Sequence, residues 1–129
     1  RVTEDEAQKI REIAESFGRF EFIPERLMDA FSAVCGCSPA YVFMFIEAMA
    51  DAAVAQGLPR SQAYSFAAQA VMGSAKMVLE TGRHPAELKD MVCSPAGSTI
   101  EGVRILEDKG MRSAVFEALT GAAEKGKRL

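Results

Sequence analysis

The chain is poor in the groups from which catalytic centres are most often assembled. Histidine occurs once, at His84, which excludes a His-Glu-x-x-His zinc helix or any site needing two imidazoles. There is no Gly-x-Gly-x-x-Gly after a strand-like run, no P-loop and no nucleophile elbow. No catalytic residue is assignable from these residues. His84 stands before Pro85 at a helix entry, with no nucleophile near it in sequence, so it reads as a cap or surface group rather than a base.

Cysteine is scarce and odd in number, at Cys35, Cys37 and Cys93. With no signal peptide in view, that suits a reducing compartment, the cytoplasm, better than a disulfide framework. A structural zinc site wants four ligands and would have to recruit Cys93 and His84 to Cys35 and Cys37, so no metal is expected and the thiols read as small buried hydrophobes. The net charge is −3 and no basic stripe interleaved with aromatics appears, the basic tail being only Lys125, Lys127 and Arg128. Nucleic acid is not implied. The chain begins at Arg1 rather than methionine, which fits a piece of a longer protein.

What is present is apolar and helical. Hydrophobic residues make up 49% of 129 residues, enough for one domain with a real core, or one domain and a fragment of another. Thr3-Glu4-Asp5-Glu6 reads as a cap and acidic first turn, followed by Ala7, Ile10, Ile13, Ala14 and Phe17 at helical spacing. Arg19 to Ile23 alternates and stops at Pro24, which predicts one short strand. A lone strand needs a partner, so residues 1–24 look like the end of an α/β domain.

From Pro24 or Glu25 onward the pattern is helical throughout. A helix to about Val34 carries Leu27, Met28, Phe31 and Val34 on one face, Cys35-Gly36-Cys37-Ser38-Pro39 is expected to break it, and Ser38-Pro39 to restart it. The segment 40–56 is apolar nearly all round. A membrane span is excluded by Glu47 and Asp51, each costing about 2.5–3.5 kcal/mol on insertion scales, so the segment reads as a core helix close-packed through its alanines. Further helices are expected over 60–80, 86–91, 99–106 and 112–123, with Gly57-Leu58-Pro59 and Gly82 as punctuation. The seven methionines fall on apolar faces as core filler.

The most informative stretch is Cys93-Ser94-Pro95-Ala96-Gly97-Ser98-Thr99-Ile100-Glu101, which joins a turn, several hydroxyls and a helix start. Pro95 lacks a donor, Gly97 permits close approach, and Ser98 or Thr99 can cap the helix that follows. Two readings stand side by side. The free N–H groups of the helix start, with Ser94, Ser98 and Thr99, can cradle a carboxylate or phosphate. Equally, Ser98-x-x-Glu101 satisfies the capping box, which uses those donors internally.

Five blocks in order, Pro39-Ala40-Tyr41-Val42-Phe43, Gly57-Leu58-Pro59-Arg60, Gly73-Ser74-Ala75-Lys76-Met77, His84-Pro85 with Leu88-Lys89-Asp90, and Val92-Cys93-Ser94-Pro95 with Gly97 and Thr99-Ile100, resemble the C-terminal half of pyrroline-5-carboxylate reductases. The resemblance covers residues 25–129. It implies a mainly α fold: a helical bundle that dimerises by intertwining, at times within larger rings, preceded over residues 1–24 by the last helix and strand of a Rossmann-type dinucleotide-binding domain. It implies a parent enzyme that reduces 1-pyrroline-5-carboxylate to proline with NADPH or NADH, the cofactor site lying outside this chain. It further implies that Ser94, Gly97, Ser98 and Thr99 hold the substrate carboxylate, with Val92 in the pocket wall.

The chain departs from the family's usual pattern in places. Ser-Gly-Ser-Gly-Pro-Ala-Tyr becomes Cys35-Gly36-Cys37-Ser38-Pro39-Ala40-Tyr41, and Ser-Pro-Gly-Gly-Thr-Thr becomes Ser94-Pro95-Ala96-Gly97-Ser98-Thr99. If position 96 needs positive φ, Ala96 is strained. A purely structural dimerisation module, a reductase of another small cyclic imino acid, and a redox or metal sensor using Cys35, Cys37 and Cys93 are the competing readings.

Overall fold

The computed structural model describes residues 2–128. Helix α1, Glu4–Glu15, starts as its sequence predicts: the Glu6 N–H donates to Thr3 Oγ1 at 3.3 Å and the Thr3 N–H donates to the Glu6 carboxylate at 2.9 Å. That reciprocal box satisfies two otherwise orphaned donors. The same Thr3 bonds, backbone first, hold the Glu6 carboxyl below its ordinary range. Ile10 and Ile13 on α1 and Phe17 just beyond its end stay exposed, so this apolar stripe finds no cover among the described residues.

The strand expected over 19–23 is not formed. No ladder bond reaches it among the described residues, because alternation gives a strand only where a neighbouring edge supplies partners. Local contacts hold the segment instead: Arg11 lies 5.3 Å from the ring centroids of both Phe20 and Phe22, which meet edge to face at 4.8 Å.

After Pro24 a 3₁₀ turn, Glu25–Leu27, leads into α2, Met28–Ser32. The expected break at Cys35–Pro39 is not a break either. The chain stays helical through a π-helical turn, Ala33–Cys37, and runs directly into α3, Ser38–Ala55. A proline inside a helix removes one N–H. Here the Ser38 N–H reaches back to the Ala33 carbonyl, and the Ser38 hydroxyl donates to the Val34 carbonyl, the acceptor that a π register would assign to the missing N–H of Pro39. The helix therefore widens by one residue rather than ending.

Helices α3 and α4, Arg60–Thr81, form the best-packed pair. The buried side chains are small: Ala50 on α3, Ala63 and Ala67 one turn apart on α4, and Ala33 in the π turn. Alanine lets helix axes approach closely, which is the role the alanine-rich sequence predicts. Asp51, one of the two carboxylates on α3, pairs with Arg60 at the start of α4, and Arg60 also lies 5.6 Å over the Tyr64 ring. Its partner Glu47 borders an open groove with Phe43, Met44, Ile46 and Tyr64. The continuous helical path Glu25–Ala55 is long and apolar enough to cross a membrane, but the carboxylates Glu47 and Asp51 in its C-terminal third oppose insertion. Gly82 ends α4 at φ 64°, where a side chain would be strained. The short α5, Pro85–Val92, then α6, Ser98–Asp108, and α7, Met111–Gly126, complete the chain, with α7 packed on α2 and the π turn.

The accessible surface is 10371 Å². A compact monomer of this mass exposes about 6,700 Å², so one copy shows roughly one and a half times the surface it should. Much of the excess is apolar, with Phe43 and Met44 on α3, Phe66 and Met72 on α4, and Phe116 on α7 all more than half exposed.

Candidate functional site

The site is built where α5 ends and α6 begins. His84 caps α5, its Nδ1 accepting from the Ala86 N–H at 3.2 Å, with Pro85 in the first turn where no donor is needed. This is the capping role its position predicts. Helix α5 stops at Cys93, whose backbone leaves the helical region at φ −100° and ψ 85°. The next four residues close a β-turn: the Gly97 N–H donates to the Ser94 carbonyl at 3.0 Å. Pro95 takes the second position. Ala96 takes the third at φ 56° and is the one non-glycine residue with positive φ among the described residues.

That arrangement matches a type II turn, whose third position favours glycine. Left-handed backbone costs an L-residue about 1–2 kcal/mol. Replacing alanine by glycine returns about 0.4–1 kcal/mol to the unfolded chain as entropy. Ala96→Gly is therefore expected to stabilise the protein by up to about 1 kcal/mol, read as a higher midpoint in denaturant titration. A lower midpoint would mean that the surroundings favour the methyl group.

Gly97 is the N-cap of α6, extended at φ −76° and ψ 165°, and no side chain caps the helix. This corrects both internal-cap readings. Ser98 lies inside the first turn rather than at the cap, and Glu101 does not reach back to close a box. Instead Glu101 takes a two-point ion pair with Arg104, Nε donating to Oε2 at 2.9 Å and Nη2 to Oε1 at 2.7 Å. The guanidinium holds the Glu101 carboxyl below its ordinary range and is itself raised. Arg104 is the residue the sequence reading missed. The signal was there, since Glu101 and Arg104 are three apart on one helix, a spacing that competes with the box.

The consequence is a helix start open to a ligand. The leading N–H groups of α6 have no internal acceptors, and the Ser94, Ser98 and Thr99 hydroxyls have no hydrogen-bond partner among the described residues. With Glu101 neutralised by Arg104, the positive end of the helix dipole is not cancelled by a nearby free carboxylate. The backbone also approaches closely: a Cβ on Gly97 would run into the Ser94 hydroxyl and lie 3.1 Å from its carbonyl oxygen. Ser94, Gly97, Ser98 and Thr99 thus gather at one junction. Val92 stands apart from them, 64% exposed, in the wall of an apolar groove of about 340 Å³ between α4 and α5, beside Ser74, Met77, Val78 and Met91.

The cysteines form no metal centre with their neighbours: no three histidine, cysteine or acidic side chains converge among the described residues. All three thiols are free.

Comparison with known proteins gives this geometry a context. The family model described as pyrroline-5-carboxylate reductase dimerisation matches residues 25–129. A pyrroline-5-carboxylate reductase of Escherichia coli K12 is 62% identical over 128 residues, covering 99% of this chain and 48% of the relative, and one from Methanosarcina acetivorans is 49% identical over 128 residues, 99% and 47%. The chain thus spans about half the length of the curated relatives it matches. Among solved structures, a 1-pyrroline-5-carboxylate reductase of Streptococcus pyogenes superposes with a TM-score of 0.90 at 36% identity, covering 99% of this chain and 49% of that one. A Plasmodium falciparum pyrroline carboxylate reductase with NADP bound gives 0.89 at 35% identity, 99% and 52%. The all-helical character of the described residues agrees with that assignment, and the chain belongs to the pyrroline-5-carboxylate reductase dimerisation family.

Proposed function

We propose that this chain is the dimerisation and substrate-carboxylate half of an enzyme that reduces 1-pyrroline-5-carboxylate to L-proline. The observation that carries the reading is the uncapped start of α6, set behind a turn that presents Ser94, Ser98 and Thr99 with no partners of their own. A carboxylate is a planar anion with two acceptor oxygens, and backbone N–H groups at a helix start with flanking hydroxyls complement it. Val92, on the groove side, supplies apolar wall for the ring.

Residues 25–129 form the all-helical unit, and residues 1–24 belong to the end of the preceding dinucleotide-binding domain. The reductant of such an enzyme, NADP or NAD, does not fit residues present here: there is no glycine-rich strand-to-helix turn of the dinucleotide type in this chain. What this chain contributes is position. An imine held by its carboxylate presents its carbon in one orientation, and orientation supplies much of the rate in a reaction that needs no protein nucleophile. The free thiols suit a cytoplasmic enzyme.

The partner is a second copy of this chain. One copy leaves far more surface exposed than a compact monomer of its mass, and a stable interface buries about 1,200–2,000 Å² in total. Assembly of such dimers into a ring extends the same reading.

The test uses the full protein, with pyrroline-5-carboxylate and NADPH. Thr99→Val removes a hydroxyl while keeping the shape, and loss of one hydrogen bond to a charged group is worth about 1.5–3 kcal/mol. A ten- to hundredfold fall in kcat/KM is expected, roughly that energy in rate. No turnover in folded, cofactor-binding wild type would leave a structural module or a reductase of another cyclic imino acid. Unchanged kinetics in Thr99→Val would transfer the contact to the backbone N–H groups alone.

A further inference from the structure

Helix α6 carries one acidic residue in its first turn, Glu101, which stands one turn in from Ser98 on the same face. Side chains on a helix lean toward its N-terminus. A glutamate in that place therefore leans toward the open N–H groups and the Ser98 hydroxyl, where its charge would compete with a bound anion or repel it. The structure holds it the other way. Arg104, one further turn along the face, takes both carboxylate oxygens, Nε donating to Oε2 and Nη2 to Oε1.

Helix α1 shows a glutamate that is not held forward. Glu6 has Lys9 three residues on, the spacing that Glu101 has to Arg104. Yet Glu6 turns back and accepts from the Thr3 N–H and from the Thr3 hydroxyl, both at 2.9 Å. Spacing to a cation is therefore not enough by itself. A lysine ammonium is one compact charge, whereas a guanidinium presents two parallel donors that match a carboxylate. At α6 the balance is reversed on both sides: the N-cap Gly97 has no hydroxyl to offer, and Arg104 offers the fork.

We infer that Arg104 is a positioning residue for the proposed carboxylate site, holding the Glu101 charge away from the start of α6 and so keeping that start free for an anionic substrate. Arg104 acts on substrate only through Glu101, and this role rests on the reductase reading. Both side chains are more than half exposed, so the effect is electrostatic and open to screening by salt.

Steady-state kinetics of the full protein with pyrroline-5-carboxylate and NADPH, at low and high ionic strength, test this. Arg104→Met keeps the stem and releases Glu101. KM for pyrroline-5-carboxylate is expected to rise about three- to tenfold at low salt, the scale of one like charge a few ångströms away in water, and to rise less at high salt. The kcat should stay near the wild-type value, because binding and not the reacting geometry is disturbed. Arg104→Lys keeps a charge without the fork and should lie between the two. Glu101→Gln alone should leave KM near wild type, and Glu101→Gln combined with Arg104→Met should return it there, since no charge is left to hold. That recovery also shows that the single variant was folded. A double variant as impaired as Arg104→Met would mean that Arg104 meets substrate directly or serves only the helix, and would overturn the inference. An unchanged KM in Arg104→Met, or a fall in kcat alone, would overturn it too while leaving the reductase reading in place. No turnover in the wild type would remove both.

Discussion

Gly97→Ala is expected to lower kcat/KM of the full protein by about three- to tenfold, a part of the hundredfold that about 1 Å of misplacement costs in a site that works by orientation. The added methyl meets the Ser94 hydroxyl and sits 3.1 Å from the Ser94 carbonyl oxygen. The hydroxyl can rotate away. The carbonyl cannot, because it accepts the Gly97 N–H at 3.0 Å and that bond closes the turn. The turn must therefore give by a few tenths of an ångström, shifting the first N–H groups of α6 from the position in which they share the proposed ligand with Thr99. Two measurements separate the contributions. Ser94→Ala combined with Gly97→Ala removes the side-chain clash but leaves the carbonyl contact, so it should recover only a small part of the loss. Full recovery would show that the hydroxyl alone set the limit, and an unimpaired Gly97→Ala enzyme would remove the turn from the substrate site altogether.

Ala50→Leu is expected to produce the largest loss of stability. Ala50 is wholly buried on α3, and Ala63 and Ala67 are buried on the facing helix at 1% and 6% exposure. A contact made of methyl groups has no slack for three more carbons. Overpacking costs about 1–3 kcal/mol where a core can relax, and two helices in alanine contact relax only by moving apart. The upper end, about 3 kcal/mol, is the expectation. Separation would also displace the exposed face that Phe43, Met44 and Phe66 present, so Ala50→Leu should weaken self-association as well. Thermal denaturation with sedimentation at several concentrations reads both effects. A variant with wild-type midpoint and wild-type assembly would show that the helices are not in close contact at Ala50.

These outcomes show which parts of the molecule its sequence makes legible. Helices were readable wherever periodicity and caps agreed: Thr3 with Glu6, Pro59 before Arg60, His84 with Pro85 and Gly82 after Thr81 all mark ends found in the structure. The two misplaced features have one physical origin. Alternation over 19–23 and the Gly-Pro cluster over 36–39 are local signals, whereas a strand depends on a distant edge and a break depends on whether a freed carbonyl finds another donor. Ser38 supplied that donor from its own side chain. At the site, the turn and its strain at position 96 followed from residue type and the family's usual glycine. The cap did not, because two partners competed for Glu101, and Arg104 offers it two charged donors where the box offers one backbone N–H. Four positions of the proposed carboxylate site stand together as the sequence ordered them. Val92, at the end of α5, lines the apolar groove between α4 and α5.

Four alanines are all the hydrophobic side chains that the described residues bury, and this changes what stability means for such a chain. A protein with an internal core folds first and associates afterwards. In the proposed dimer the surfaces that would normally drive collapse lie between the two copies, which makes folding and assembly a single reaction whose free energy contains a concentration term. Dilution then acts as a denaturant, and the cell sets the stability of this fold partly by how much of it is made.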